Sequence, residues 1–278
     1  MNTLKTFFLM TFLTVLVVLV GGAIGGEQGL YFAFIFAVVM NVGSYWFSDK
    51  IALSMMRARP LQEKDAPNLF AMTARLAENA NLPMPRLYLI DSNQPNAFAT
   101  GRNPANGVVA VTSGLVRMMN QEELEGVIAH ELAHIKNRDI LISTIAAVLA
   151  GALTMIARMG MYRNMFGGRG RNQGGAQAII QILAIVLAPI AALVIRSAIS
   201  RSREYEADKI GAEISGNPGG LANALLKLEQ GVSRIPMEVN EATSHMFIIN
   251  PISGRQLMSF FSTHPPIRDR VAKLKNMR

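Results

Sequence analysis

The sequence has no cysteine, so no disulfide framework exists and no thiol can act as nucleophile or metal ligand. That fits a reducing compartment. Charge is also scarce: Asp, Glu, Lys and Arg make up 17% of the 278 residues, against about 25% in an ordinary soluble domain. Acidic residues are outnumbered 19 to 27, for a formal charge of +8 and a pI near 10.0. Histidine occurs four times and tryptophan once. Half of the chain is nevertheless apolar, with a mean hydropathy of +0.27. This composition excludes a disordered chain and argues against an ordinary cytosolic enzyme.

The missing charge is missing in four places. Thr6–Gly26, Gly29–Ser48, Ile140–Ala157 and Ala176–Ile195 contain no ionisable Asp, Glu, Lys or Arg. They run for 21, 20, 18 and 20 residues, against the roughly 20 needed to cross a bilayer as a helix. Every charge lies outside them, and the remainder has close to the polarity of a soluble domain. The first window is too long for a signal-peptide core, lacks an A-x-A site, and is followed at once by the second. The first two windows therefore read as a helical hairpin. Lys5 flanks one end, and Lys50, Arg57, Arg59 and Lys64 flank the other, while the connecting Glu27–Gln28 has no basic residue. Positive charge stays on the cytoplasmic side, which puts both ends of the hairpin there.

Four units follow from these boundaries: a transmembrane hairpin over residues 1–48, a cytoplasmic segment over 49–139, a second apolar hairpin over 140–195, and a cytoplasmic, mostly helical segment over 196–278. In the second unit, Asp65–Asn79 has the pattern of an amphipathic helix. Arg86–Ile90 and Val108–Thr112 have the pattern of short strands. Asn120 with Glu123 three residues on is a capping box opening a helix through Ile135. The connection of the second hairpin, Arg158–Gly175, carries four Arg among Gly and Met. A full crossing would place these Arg outside, against the charge rule, so a re-entrant pair is the alternative. Pro189 would kink its second arm.

The chemistry lies in His130-Glu131-Leu132-Ala133-His134. Residues four apart share a helix face, so the two imidazoles point at one spot, at a spacing that suits zinc. Glu131 can reach the water that such an ion activates without being a ligand, and serve as its general base. A chance match to H-E-x-x-H with four His in a chain of this length has a probability on the order of 0.3%. Two surface histidines are the bland alternative, but the surrounding Ile128, Ala129, Leu132, Ala133 and Ile135 make this a buried helix. A catalytic zinc takes three protein ligands. His245, His264 and carboxylates are open as the third. The strongest candidate is Glu204, four residues before Asp208 in Ser200-Arg201-Ser202-Arg203-Glu204-Tyr205-Glu206-Ala207-Asp208. Glu204 would ligate, and Asp208 would hydrogen-bond the far nitrogen of a ligand histidine. A solvated charged face is equally compatible with that spacing. The 17 Met show no ligand spacing and read as flexible filling.

These segments, in this order, resemble the membrane-embedded zinc metalloproteases of the HtpX heat-shock type, similar to the CAAX-prenyl endopeptidases. The resemblance runs through His130–His134 with Asn137 and Asp139, the apolar pair, Ser200–Asp208 and Thr263-His264-Pro265-Pro266. Asn96-Ala97-Phe98-Ala99-Thr100-Gly101 belongs to it as well. It covers nearly the whole chain. It implies one zinc ion per chain on His130, His134 and Glu204, with Glu131 as catalytic base and Glu204 preferred over Glu206. It also implies a bacterial inner-membrane protein that degrades damaged or misfolded membrane proteins, with its active site facing the cytoplasm. The expected fold is a mainly α membrane protein: about four transmembrane helices plus a cytoplasmic zincin-like α+β metalloprotease domain with a small sheet. Its partners would be unfolded or damaged membrane proteins and the lipid bilayer, with no nucleic acid. Extended substrate needs a sheet edge, for which Asn96 and Phe98 mark the candidate strand. His264 is the candidate transition-state donor by resemblance, against a plain capping role for Thr263–Pro266.

Two other classes are weighed against this reading. A membrane transporter or chaperone with a structural zinc site predicts ionisable residues within the spans, and the four windows have none. A nucleic-acid-binding membrane protein rests on the positive charge alone. Basic residues alternate with acidic ones in Arg201–Lys209 and elsewhere flank the apolar windows, as membrane orientation already requires.

Overall fold

The computed structural model describes residues 2–141, 144, 201–234, 248 and 265–277. Nearly all of the third apolar window, the whole of the fourth, Arg158–Gly175, His245 and His264 lie outside them.

The chain opens with helix α1, Asn2–Met55, broken at Gly26, whose φ of 59° and ψ of −145° are non-helical. Such a φ is open to glycine at little cost, and it folds α1 back on itself. Small residues then let the two halves touch, with Gly21 against Gly29 and Ala33, the packing expected where lipid removes any hydrophobic drive between helices. Asn41 donates its side-chain N–H to Thr14 Oγ1 at 2.6 Å across the same seam. In the second half, Gly26–Phe47 is a 22-residue stretch long and apolar enough to cross a membrane, and only 6% of it is buried inside the protein. It alone among the described residues has that character.

The last turns of α1 continue without a break into the folded domain. Ala52, Leu53 and Met56 share one buried cluster with Ile90, Phe98, Val108 and Ala110 of a four-stranded sheet. Asp49 pairs with Arg86 at 2.6 Å at the same junction. The strands are β1 (Arg59–Pro60), β2 (Arg86–Ile90), β3 (Ala97–Thr100) and β4 (Val108–Thr112), in the order β1-β2-β4-β3. β1 is antiparallel to β2, β2 parallel to β4, and β4 antiparallel to β3. β3 is thus an outer strand of the sheet.

Strand alternation sends Leu87, Ala97, Ala99, Val109 and Val111 to the opposite face, into the main core. There they meet α2 (Pro67–Asn79), α3 (Ser113–Met118) and α4 (Gln121–Lys136). In α2, Leu69, Met72, Thr73, Leu76 and Ala77 form the buried stripe, the i, i+3, i+4 pattern of an amphipathic helix. Pro67 opens it, and Asn81, with a φ of 55°, closes it. Asn81 N–H bonds Glu78 O and Leu82 N–H bonds Ala77 O, both at 2.9 Å, the two bonds of a Schellman end. The capping box of α4 is formed: Asn120 Oδ1 accepts from Glu123 N–H, and Glu123 Oε2 accepts from Asn120 N–H, both at 2.9 Å.

Helices α5 (Arg201–Ser215) and α6 (Pro218–Arg234) pack over α4 from the far side, and α7 (Ile267–Lys275) packs on both of them. Glycines make this possible. A methyl group on Gly126 of α4 would stand 2.5 Å from the Leu221 nitrogen of α6. One on Gly211 of α5 would stand 3.0 Å from the His130 backbone. Helix α4 is therefore clamped backbone to backbone at the level of the H-E-x-x-H motif.

These contacts decide the sign of a substitution. In a free helix, Gly to Ala gains about 1 kcal/mol. Forcing a methyl into backbone costs about 1–3 kcal/mol. Gly126→Ala should therefore lower the thermal unfolding midpoint of the detergent-solubilised protein. Gly43→Ala, where the added methyl meets nothing within 4 Å, should not.

Candidate metal centre

Helix α4 brings His130 and His134 one turn apart, and their rings meet edge-on with centroids 4.8 Å apart. The two Nε2 atoms lie 3.2 Å from each other. Glu204, at the start of α5, adds Oε1 at 3.6 Å from His134 Nε2 and Oε2 at 3.7 Å from His130 Nε2. One ligating atom from each of the three residues lies within 4.8 Å of the others. In a tetrahedral site with bonds of about 2.1 Å, ligand atoms stand about 3.4 Å apart. The spacing fits a small divalent cation.

The far side of each imidazole confirms the fit. His130 Nδ1 is 3.1 Å from Asp208 Oδ1, and His134 Nδ1 is 3.3 Å from Asp139 Oδ2. A carboxylate only accepts, so it favours the tautomer with its proton on Nδ1. Both Nε2 lone pairs then face one point, which calls for a cation there. Charge agrees with geometry. Glu131, Glu204, Asp208 and Asp139 are four carboxylates, and Arg270 and Arg203 are two guanidinium groups. With both imidazoles neutral and the carboxylates ionised, the cluster is left net negative, which suits a cation.

Arg270 is the member with no role assigned from the sequence. It is 1% exposed, and burying an uncompensated guanidinium would be prohibitive. Its compensation is Asp208, gripped by Nε at 2.8 Å and Nη2 at 2.6 Å. Its Nη1 is 3.5 Å from Glu204 Oε2, and its Nη2 is 3.4 Å from His130 Nε2. On the opposite side Arg203 Nε is 3.8 Å from Asp139 Oδ1. The inward face of α7 buries Arg270 with Val271 and Leu274, and nothing local in the sequence singles it out.

Protonation follows from these contacts. Burial disfavours charge on Asp208, but the Arg270 charge and hydrogen bonds and the His130 contact hold its carboxyl at about 2. Burial pushes His130 down; the Arg270 and His134 charges add to that, and Asp208 opposes it. His134 goes the other way. Burial is outweighed there by the Asp139 hydrogen bond and the charges of Glu204, Glu131 and Asp139, and its pKa rises to about 9. Surroundings that favour a proton on His134 favour any cation at that point. Burial raises Glu131 to about 7, against the pull of the His134 charge; Glu204 adds to the rise, and the Ala99 N–H and Arg270 lessen it.

Glu131 is 3% exposed and accepts a hydrogen bond from the Ala99 backbone of β3. The general-base candidate therefore lies directly against the edge of the sheet. Ala97 O on the same edge accepts from Ile248 N–H at 3.2 Å, and Ile248 O accepts from Arg270 Nη1 at 3.4 Å. Asn96 is fully buried just before β3, with its N–H on Thr112 Oγ1 at 2.9 Å. The Phe98 side chain is fully buried toward α1. What β3 offers at its edge is backbone. Glu206 is exposed, while Glu204 and Asp208, its neighbours on either side, face inward.

This arrangement has counterparts. The family model of peptidase family M48 matches residues 63–278. A protease HtpX homolog of Pelotomaculum thermopropionicum is 56% identical over 280 residues, covering 100% of this chain and 99% of the relative. One of Thermodesulfovibrio yellowstonii is 56% identical over 278 residues, with 100% and 99% covered. The crystal structure of S. mikatae Ste24p superposes with a TM-score of 0.55 at 20% identity, covering 98% of this chain and 64% of that protein's length. That likeness is one of fold. With the motif helix, the inward Glu204 and these matches together, the chain belongs to peptidase family M48 and is a metallopeptidase.

Proposed function

We propose that the chain is a membrane-embedded zinc endopeptidase in which His130, His134 and Glu204 hold one zinc ion and Glu131 is the general base. The observation that carries this is the convergence of three ligating atoms within 4.8 Å beside a buried carboxylate that is not one of them. A bound zinc ion would supply Lewis acidity, activating water and polarising the scissile carbonyl. A structural zinc site is closed by four ligands. Among the described residues this group provides three, which favours a catalytic role.

The protein's own residues supply the rest. Glu131 takes the proton from the attacking water on its carboxylate and returns it to the leaving amine. Asp208 and Asp139 fix the ring orientation of His130 and His134, and Arg270 keeps Asp208 ionised. Extended substrate would add to the β3 edge, where Ala99 already touches Glu131. An incoming strand competes with Ile248 for Ala97 O.

Gly26–Phe47 and the close-packed return of α1 support a membrane anchor. The four uncharged windows support four spans in the bacterial inner membrane, with the metal centre on the cytoplasmic side. His134 stands six residues before the third window and Glu204 nine residues after the fourth. The site therefore lies near the bilayer surface, where misfolded or damaged membrane proteins are its substrates.

Replacing Glu131 by Gln should leave about one zinc per chain and cut hydrolysis of a loosely folded substrate in detergent by at least about 10²-fold. Full proteolysis by the metal-loaded variant would remove Glu131 from this role. Glu204→Ala should lose both zinc and activity. Unchanged zinc stoichiometry would pass the third-ligand role to Glu206 or a histidine. Asp139→Asn and Asp208→Asn should each weaken zinc binding by about 10–100-fold, measured by competition with a chelator.

A further inference from the structure

Where α1 enters the folded domain, a cavity of about 490 Å³ opens between Tyr45, Arg102, Asn103, Arg138 and Leu141. Its size is that of a small-molecule site. Among the described residues no acidic one lines it. Arg59, Arg75, Arg86, Arg203, Lys227 and Arg270 all lie within 4.0 Å of a carboxylate. Among the described residues, neither Arg102 nor Arg138 has one.

One contact sets Arg102 in place, and the backbone of Arg138 is distinctive. The Arg102 guanidinium stacks on Trp46, 4.5 Å from the ring centroid, a cation–π contact that holds it at the cavity wall. Arg138 has a φ of 57°, a left-handed conformation that side-chain-bearing residues seldom adopt. It ends α4, where glycine is the usual residue.

The position of the cavity limits its occupant. Tyr45 and Trp46 stand at the end of the apolar stretch Gly26–Phe47, and Leu141 is the second residue of the third uncharged window. Both segments lead toward the bilayer on the reading above. Lys50 also lies over Phe47, at 5.5 Å from its centroid. Exposed aromatics beside basic groups mark the headgroup level of a membrane. Paired arginines without carboxylates match a phosphate.

We propose that this cavity binds the phosphate headgroup of an anionic membrane lipid between Arg102 and Arg138. The inference rests on the membrane reading above. Arg138 is next to Asp139, which holds His134, and Arg102 follows β3 by two residues. The lipid would thus sit against both the metal helix and the substrate edge.

Trp46 is the sole tryptophan and reports on the cavity directly. The full-length protein in nonionic detergent is titrated with a short-chain phosphatidylglycerol, a short-chain phosphatidylcholine, or inorganic phosphate. Phosphatidylglycerol should change the Trp46 emission saturably. Arg102→Gln with Arg138→Gln should weaken that response by at least about tenfold, and the paired Lys variants should weaken it less. An equal response to phosphatidylcholine, or an undiminished one in the Gln pair with native circular dichroism, overturns the proposal. If inorganic phosphate saturates at the same concentration, the occupant is a soluble phosphate and the lipid assignment falls. Loss of proteolysis leaves this readout untouched. Solubility of the chain without detergent would instead overturn the membrane reading.

Discussion

Two imidazole nitrogens held 3.2 Å apart inside a core are the constraint that the rest of the structure serves. Left to themselves, neutral imidazoles would turn their lone pairs away from each other, or share a proton. Here Asp208 and Asp139 stand against the opposite nitrogens at 3.1 and 3.3 Å, so turning either ring carries its Nδ1 away from a buried carboxylate. That solution creates its own cost. Two carboxylates, with Glu131 and Glu204 beside them, concentrate negative charge where water is excluded. Arg270 and Arg203 offset part of it. The residual negative charge suits a cation, so the site's charge and its geometry call for the same occupant.

Such a cluster survives only if its helices cannot drift. Gly126 and Gly211 let α6 and α5 reach α4 at backbone distance, closer than side-chain packing allows. The sheet closes the other side, with the β3 edge donating Ala99 N–H to Glu131. The catalytic face is therefore held by main chain on both sides. Main-chain contacts do not change rotamer, and this gives the precision that proton transfer and metal ligation require.

The same domain is joined rigidly to the apolar helix. The last turns of α1 share a core with β2, β3 and β4, so the apolar segment and the β3 edge belong to one packed body. Arg102 and Arg138 lie at that junction. Both are a few residues from elements that touch the metal centre, one at the end of β3 and one at the end of α4. An anion bound there would brace the two walls of the active site.

Much of this was legible in the sequence, where periodicity is local. The i, i+4 histidines, the Asn120–Glu123 capping box, the strands Arg86–Ile90 and Val108–Thr112, and the α2 stripe all follow from short-range rules that act within a turn or a strand pair. So does the hairpin of α1, because uncharged windows need only be counted. Glu204 and Asp208 could be nominated by their spacing, but a charged solvent face was equally compatible, and only packing turned that pair inward. Arg270 could not be nominated at all. It lies 140 residues from His130, and an arginine in a basic chain carries no local mark of burial. Asp139 as the partner of His134, Ile248 on the β3 edge, and the glycine clamps on α4 share that character. The sequence by itself determined which groups can do the chemistry, because helical spacing is written in neighbouring residues. The tertiary structure alone decided which charges compensate them, because burial makes every unpaired charge costly and its partner can come from anywhere in the chain.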